Sequence, residues 1–243
     1  MSKVIMLFNL VLFFSLVLAK HAIADEKLTC VTTHYPPYTI FDKEKKTFIG
    51  SDIELLLLVF KNLGIELEII NLPWVRLKQE IKKSNYDCYF SLGKFPSRET
   101  YLDYTSIPLH VTKIAVFSPQ EVGKKNSVLD LSKKVVGVHR GIDVHLDIAN
   151  SYKVDNATIY KLPSNEALFK MLSFERVDAI VTSKGVGMYL LANQFPKLKV
   201  NISDITDYKL PAYLAFRKEV IDINRVNKAL LKINKDHSLL FDK

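Results

Sequence analysis

The stretch YDCYFSLGKFPSRETYLDYT, residues 86–105, combines a predicted strand, the turn that ends it and an arginine directly after the turn. Its segment Asp87–Leu92 alternates and is rich in aromatic residues, which is typical of a short strand. Gly93 and Pro96 end that strand, and Arg98 follows in a loop. A guanidinium at a strand end suits a carboxylate, because it offers paired donors in fixed geometry. An ion pair with a neighbouring acidic side chain on the surface is the alternative at this point.

An export signal precedes the predicted domain. Lys3 gives a positive start, Val4–Ala19 is an apolar run, and Ala22-Ile23-Ala24 is a small-x-small cleavage site. The run is shorter than the roughly 20 apolar residues that a membrane helix needs, so an uncleaved anchor is the weaker alternative. We therefore predict that residues 1–24 are a signal peptide, cleaved after Ala24, and that the product is periplasmic.

Composition limits the classes of partner. The chain of 243 residues has a formal net charge of +8, but its lysines are scattered and no nucleic-acid motif accompanies them. Residues 25–243 suffice for one large domain or two small ones, and they contain no second long apolar stretch. We expect a soluble monomer that binds a small molecule, with no nucleic-acid partner, no cofactor and no metal.

Two cysteines remain after export, Cys30 and Cys88. An oxidising compartment permits a disulfide between them, and both lie in predicted strands, so their sulfur atoms are close if the strands are neighbours. Two free buried thiols are the equal alternative.

Three predicted strands carry aromatic or cationic residues directly after their ends. Tyr35 lies in a proline turn after Leu28–Thr33, Trp74 follows Ile65–Ile70, and Arg98 follows the third strand. Intervening helices make these strands parallel, and ligands of open parallel sheets bind at the carboxyl ends of the strands. The convergence of the three signals at one edge predicts a ligand site there.

Capping residues predict where the helices begin. Ser51 or Asp52 is the predicted N-cap of the first helix, Ile53–Leu63. In the second half, the strand Val135–Val138 ends at His139-Arg140-Gly141, and Asp143 can cap a helix over 144–150. The N-terminus of that helix favours an anion, and Arg140 lies beside it.

The order of elements predicts an α/β fold with two lobes. Two long strands, Leu109–Phe117 and Leu210–Phe216, are predicted to cross between the lobes, and Leu198–Ile202 is predicted as a separate strand. The first lobe is assigned residues 25–112 plus 213–243, and the second residues 113–212. Two crossing segments permit a hinge that closes the lobes on a ligand.

The mature chain resembles the family 3 bacterial extracellular solute-binding proteins, which are type II periplasmic binding proteins and often serve ABC importers of polar amino acids. The resemblance is carried by the segments HYPPYTIFD (34–42), GSDIELLLLVFKNLG (50–64), LPW (72–74), residues 86–105, VVGVHRG (135–141) and the pair Asp178-Ala179. It implies that Arg98 binds a ligand carboxylate, that Tyr35 and Trp74 line the ligand, and that Ser91, Gly93 and the Arg140-Gly141 turn face the cleft.

One position departs from the family pattern. Amino-acid binders of this family usually carry an acidic residue for the ligand ammonium a few positions after the Asp-Ala pair, where this chain has Ser183. An ammonium buried without a carboxylate is costly. We therefore expect Ser183 to line the site and the ligand to carry more negative charge than a standard α-amino acid.

The resulting prediction is a binding protein, not an enzyme, that delivers a small anionic or zwitterionic, amino-acid-like solute to an ABC permease. A sensing module for a membrane signalling partner is the first alternative. A dehydratase of cyclohexadienyl acids is the second, with His34 and His139 as its candidate acid–base residues.

Overall fold

The computed structural model describes residues 26–83, 85–120, 131–142 and 156–236. The predicted signal peptide, 1–24, and the predicted helix over 144–150 with its cap Asp143 lie outside the described residues. Within those ranges no helix is long and apolar enough to cross a membrane.

The described residues form strands and helices in alternation. The strands are β1 (Glu26–Thr32), β2 (Ile40–Asp42), β3 (Thr47–Ile49), β4 (Ile65–Asn71), β5 (Cys88–Gly93), β6 (Leu102–Tyr104), β7 (His110–Pro119), β8 (Val135–His139), β9 (Thr158–Leu162), β10 (Ala179–Ser183) and β11 (Val200–Arg217). The helices are α1 (Ser51–Leu63), α2 (Trp74–Lys83), α3 (Pro96–Glu99), α4 (Asn165–Ser173), α5 (Lys184–Asn193) and α6 (Ile223–Asp236).

A curled mixed sheet joins two parallel modules, in the order β4-β1-β5-β11-β7-β10-β8-β9. In the first lobe β1 pairs in parallel with β4 and β5, and in the second β8 pairs in parallel with β9 and β10. The chain passes through α1 between β1 and β4 and through α4 between β9 and β10, as the crossovers of a parallel module require. The predicted α/β class and the two-lobed plan are confirmed.

The two crossing strands are antiparallel partners of each other. β7 pairs with β11 from Val200↔Pro119 to Ala212↔His110, and β11 continues beside β5 of the first lobe. The prediction of separate strands at 198–202 and 210–216 was wrong, because β7 offers one continuous edge along which β11 pairs. A register shift between Ile205 and Lys209 interrupts the pairing without ending the strand.

β7 is buried on both faces over residues Ile114–Phe117. Ile114 and Val116 of β7 pack in one core of the second lobe, whereas Ala115 and Phe117 pack in the other, against α4 and α5. Gly187 of α5 lies so close to the Phe117 ring that a β-carbon would overlap it, so the Gly-x-Gly of this helix serves packing.

Cys30 and Cys88 form a disulfide. They lie opposite each other on the neighbouring strands β1 and β5, with their Cα atoms 4.4 Å apart. Both side chains are fully buried in the core between the sheet, α1 and α6. The bond therefore links the two strands whose ends carry Tyr35 and Arg98.

Removing this disulfide is expected to lower the free energy of unfolding by about 2–4 kcal/mol, because the closed loop restricts the unfolded chain. Urea unfolding of the wild type and of a Cys30→Ala/Cys88→Ala variant measures the loss. Reductant should destabilise the wild type and leave the variant unchanged. Equal sensitivity of both proteins to reductant would contradict the assignment.

Candidate functional site

A cavity of about 250 Å³ lies between the two lobes. Its walls come from the ends of β1, β4 and β5, from α2, from the crossing strands and from the second-lobe strand ends. The wall residues are Thr33, His34, Tyr35, Trp74, Lys78, Ser91, Gly93, Phe95, Ser97, Arg98, Thr112, His139, Gly141, Ile142, Asn165, Leu210, Pro211 and Ala212.

Arg98 is held in the wall by the short helix α3. Pro96 begins that helix after Phe95, and the turn brings the Arg98 side chain back to the end of β5. Its Nη1 donates to the Gly93 carbonyl oxygen at 2.7 Å. The guanidinium carbon lies 5.3 Å from the Trp74 ring centroid and 4.8 Å from that of Phe95. Ring contacts of this kind attract the cation and restrict its orientation.

A buried carboxylate, Asp52, holds the strand end beside Arg98. Asp52 is 1% exposed, and its Oδ2 accepts a hydrogen bond from the Ser91 hydroxyl at 2.6 Å. Ser91 has a φ of 55°, a left-handed conformation that is costly for a residue other than glycine. Because the Asp52 contact fixes this hydroxyl, it helps to maintain the unusual backbone at the cavity wall.

The predicted capping role of Ser51 or Asp52 was wrong. Gly50 is the N-cap of α1, with a φ of 127° and no side-chain capping bond. Asp52 turns inward because His110 and Ser91 supply donors there.

His110 extends the network from Asp52 to the cavity. Its Nδ1 lies 2.8 Å from Asp52 Oδ2, and its Nε2 lies 3.1 Å from the hydroxyl of Thr112. The imidazole stacks on the Tyr38 ring, with centroids 3.6 Å apart and planes at 6°. Each group of the network is thus buried and has at least one partner, whereas Asp52 Oδ1 has none among the described residues.

Tyr35 carries the network into the second lobe. Its hydroxyl forms hydrogen bonds with Thr112 and with Ser183, and burial raises its pKa. Ser183 itself is fully buried and caps α5, where its hydroxyl accepts the Val186 N–H at 3.5 Å. A chain of polar contacts therefore runs from the first lobe, through the crossing strand β7, to the start of α5.

Two donors of α2 converge on one carbonyl of the second lobe. Trp74 Nε1 and Lys78 Nζ donate to the Gly141 oxygen at 2.9 and 3.0 Å. Gly141 has a φ of 81°, which suits glycine and turns the chain after β8 so that this oxygen faces α2. These bonds join the lobes across the cavity.

A second contact between the lobes pairs His34 with Glu166 of α4. His34 Nδ1 accepts the Phe41 N–H at 3.0 Å, so the proton of the ring lies on Nε2, which is 3.5 Å from Glu166 Oε1. The hydrogen bond from His34 is the largest cause that lowers the pKa of Glu166 to about 2. Glu166 is thus ionised at neutral pH, and its contact with His34 holds it in place.

The structure brings together five of the seven predicted site residues and leaves two outside the wall. Arg140 is exposed and donates to the Lys161 carbonyl oxygen at 3.4 Å, whereas its neighbours His139 and Gly141 line the cavity. Ser183 lies behind the wall, under Tyr35. The five in the wall are Tyr35, Trp74, Ser91, Gly93 and Arg98.

Sequence reasoning missed several wall residues. Lys78 follows Trp74 by four positions on α2, so helical spacing would have placed both on one face. Thr112 and Asn165 carry no such signal, because their positions depend on the pairing of β7 and the docking of α4. Within the described residues no cluster of His, Cys, Asp and Glu could hold a metal ion.

The sequence matches the profile of the family described as "Bacterial extracellular solute-binding proteins, family 3" over residues 28–240. The chain belongs to this family. The membership agrees with the two-lobed sheet and with a cavity at the strand ends. A comparison with curated proteins finds no match to this solute-binding protein.

Solved structures share the fold of this family 3 protein at low sequence identity. "An ancestral arginine-binding protein bound to arginine" is 23% identical with a TM-score of 0.74, over 86% of this chain and 93% of that one. An ancestral amino acid-binding protein, "a precursor of cyclohexadienyl dehydratase", is 22% identical with a TM-score of 0.72, over 88% and 91%. The "substrate binding protein of an amino acid ABC transporter" is 20% identical with a TM-score of 0.67, over 88% and 96%.

Replacing Asp52 by alanine is expected to lower the free energy of unfolding by about 2–4 kcal/mol, because Ser91 and His110 lose a buried acceptor. Urea unfolding of the purified variant measures this. Asp103→Ala is the matched control, since Asp103 only pairs with Lys218 at the surface and should cost about 1 kcal/mol or less. Equal losses in the two variants would contradict a special role for the Asp52 network.

The Glu166–His34 contact predicts a dependence of stability on acid pH. The pKa of Glu166 is lowered in the folded state, so its contribution is present above the ordinary pKa of 4.5 and is lost as pH falls towards about 2. The melting temperature of Glu166→Gln should therefore fall less than that of the wild type between these pH values. Glu175→Gln, at an exposed position of the same lobe, should follow the wild type.

Proposed function

We propose that the protein is a periplasmic solute-binding protein that captures a small anionic or zwitterionic, amino-acid-like solute between its lobes. The observation that carries the proposal is the Arg98 guanidinium, fixed in the wall of the cavity between the lobes. A guanidinium presents its N–H groups in a planar fork, and this geometry matches a carboxylate.

The size of the cavity supports a small solute. A volume of about 250 Å³ lies below the range of roughly 300–1,000 Å³ for sites of drug-sized ligands. It suits a molecule of the size of one amino acid. The apolar residues Leu210, Pro211 and Ala212 would contact the body of such a ligand, and polar groups at the strand ends would orient it.

We assign each predicted residue a role at this site. Arg98 binds the carboxylate, Tyr35 and Trp74 cover the ligand, and Ser91 and Gly93 supply hydrogen-bonding groups at the end of β5. In the second lobe the Gly141 turn faces the ligand, in place of Arg140.

Ser183 acts indirectly, by holding the Tyr35 hydroxyl.

The lobes are taken as residues 25–112 plus 213–243 and residues 113–212. β7 and β11 form the hinge, because they are the strands through which both lobes are connected. Closure would bring Trp74 and Lys78 onto the Gly141 carbonyl oxygen, as seen here.

The partner in this proposal is the permease of an ABC importer in the inner membrane, which receives the solute from the monomeric mature protein after removal of residues 1–24. Family membership and the likeness to a substrate-binding protein of an amino acid ABC transporter support it. A ligand-sensing module for a membrane signalling partner would use the same cavity.

A cyclohexadienyl dehydratase-like enzyme is the second candidate. It is favoured by two imidazoles in the cavity wall, His34 and His139, and by the likeness to a precursor of such an enzyme. Burial lowers the pKa of His139, which keeps it neutral and able to accept a proton. Both nitrogens of His34 already have partners within the protein, which argues against its use as a base.

Trp74 provides a direct measurement of ligand binding, because it is the only tryptophan of the chain and lies in the cavity wall. Residues 25–243 would be titrated with amino acids, dicarboxylates and small peptides while Trp74 fluorescence and melting temperature are recorded. A ligand at about 100 times its dissociation constant should stabilise the protein by about 2.7 kcal/mol.

Arg98→Ala should weaken binding of the responding compound by about 100-fold, since a charge-assisted hydrogen bond contributes about 1.5–3 kcal/mol. Arg76→Ala is the matched control, because Arg76 is exposed on α2 outside the wall. Absence of any response, or turnover of a cyclohexadienyl acid, would overturn the transport proposal.

A further inference from the structure

Resting on the proposed function, we propose that Asn165 and His139 form a subsite that binds a carboxamide group of the solute. Asn165 donates a hydrogen bond to the carboxamide oxygen, and His139 accepts one from the carboxamide nitrogen. The solute is then amino-acid-like, with its carboxylate at Arg98 and a neutral carboxamide at its other end.

Asn165 is a buried polar residue of the cavity wall. It is 6% exposed and lies among the residues that line the cavity. It is the first residue of α4, which the chain enters shortly after the end of β9. A polar side chain enclosed to this extent needs hydrogen-bond partners, because an unmade bond in a buried place is costly.

The protein uses only one end of the Asn165 amide group. Its Oδ1 accepts a hydrogen bond from the Thr182 hydroxyl at 2.7 Å, and Thr182 is fully buried in β10. This bond fixes the orientation of the amide. The Asn165 Nδ2 has no hydrogen-bond partner among the described residues, and it is not one of their fully enclosed unpaired atoms. Since the residue lines the cavity, the N–H groups of Nδ2 are available to a ligand there.

His139 supplies an acceptor in the same wall. Its Nδ1 lies 2.9 Å from the Arg140 carbonyl oxygen, which can only accept, so Nδ1 carries a proton. Burial lowers the pKa of His139, so the ring is neutral at neutral pH and Nε2 carries a lone pair. Within the described part of the chain this Nε2 has no hydrogen-bond partner.

The donor and the acceptor lie at the ends of neighbouring strands. β8 and β9 are parallel partners up to the pair His139↔Leu162, and Asn165 follows Leu162 by three residues. A carboxamide matches this arrangement, because it offers one acceptor group and one donor group. An ionised carboxylate only accepts, so it can use Asn165 but is repelled by the lone pair of His139.

The N-terminus of α4 already holds a carboxylate. Glu166 is ionised at neutral pH, since the hydrogen bond from His34 lowers its pKa to about 2, and it also accepts its own backbone N–H. The Ala167 N–H donates to the Ser164 hydroxyl at 3.2 Å. The charge of Glu166 offsets the positive end of the helix dipole, so a second carboxylate beside Asn165 is disfavoured. A neutral carboxamide does not meet this repulsion.

Two sets of matched ligands test the subsite in the unmodified protein. Trp74 fluorescence would be titrated with L-glutamine, L-glutamate and L-homoleucine, and with the shorter set L-asparagine, L-aspartate and L-leucine. Within each set the ligands have closely similar shapes and differ at the end group, which is a carboxamide, a carboxylate or an apolar branch. We expect the carboxamide of the set that fits the cavity to bind about tenfold or more tighter than its two analogues.

Asn165→Leu tests the donor, because leucine has a similar shape and no polar atoms. It should weaken the carboxamide ligand by about tenfold or more and leave the apolar analogue within about twofold. His139→Leu should do the same. Asn193→Leu, at an exposed position of α5 outside the wall, should change neither ligand.

Three results would overturn the subsite while leaving the binding function intact. The first is tighter binding of the carboxylate or of the apolar analogue than of the carboxamide. The second is an equal loss for all ligands of a set in Asn165→Leu, which would make Asn165 only a support of the fold. The third is an Arg98-dependent response to other solutes of the wider panel with none to these two sets. No response to any compound would overturn both the subsite and the proposed function.

Discussion

The antiparallel pairing of β7 with β11 is the constraint on which the rest of the molecule depends. These strands pair from Val200↔Pro119 to Ala212↔His110, with a register shift between Ile205 and Lys209, and connect the parallel module of each lobe to the other. Since β11 also pairs with β5 and β7 with β10, the edges of both modules are fixed by this one pair. The position of the cavity, at the strand ends between the modules, follows from it.

The same strand, β7, places His110 and Thr112 at the centre of the polar network. His110 reaches Asp52 in the first lobe, and Thr112 reaches Tyr35, which also contacts Ser183 at the start of α5. A buried carboxylate and imidazole are tolerated here because each has close partners. The network holds Ser91 in its left-handed conformation and the Tyr35 ring at the cavity. It supports the cavity wall from behind.

Sequence patterns of short range were sufficient to predict much of the fold. Apolar periodicity and Gly or Pro punctuation located the parallel strands and the helices between them, including α1 and α4. They failed where pairing between distant segments decides the outcome: β11 is one strand because β7 lies beside it, and Asp52 is not a cap because Ser91 and His110 lie across from it. Helical spacing from Trp74 could have predicted Lys78 as a wall residue, whereas no sequence pattern indicates Asn165.

The α/β order, the aromatic and cationic residues at successive strand ends, and the family to which the chain belongs could all be predicted from the sequence. These depend on residue type and spacing along the chain, which are local properties. Three features could be found only from the fold: Cys30 and Cys88 are bonded, Gly141 rather than Arg140 faces the cavity, and Ser183 lies behind Tyr35. Each of these depends on which segments meet across the sheet or the cavity, and that is fixed by packing between residues far apart in sequence.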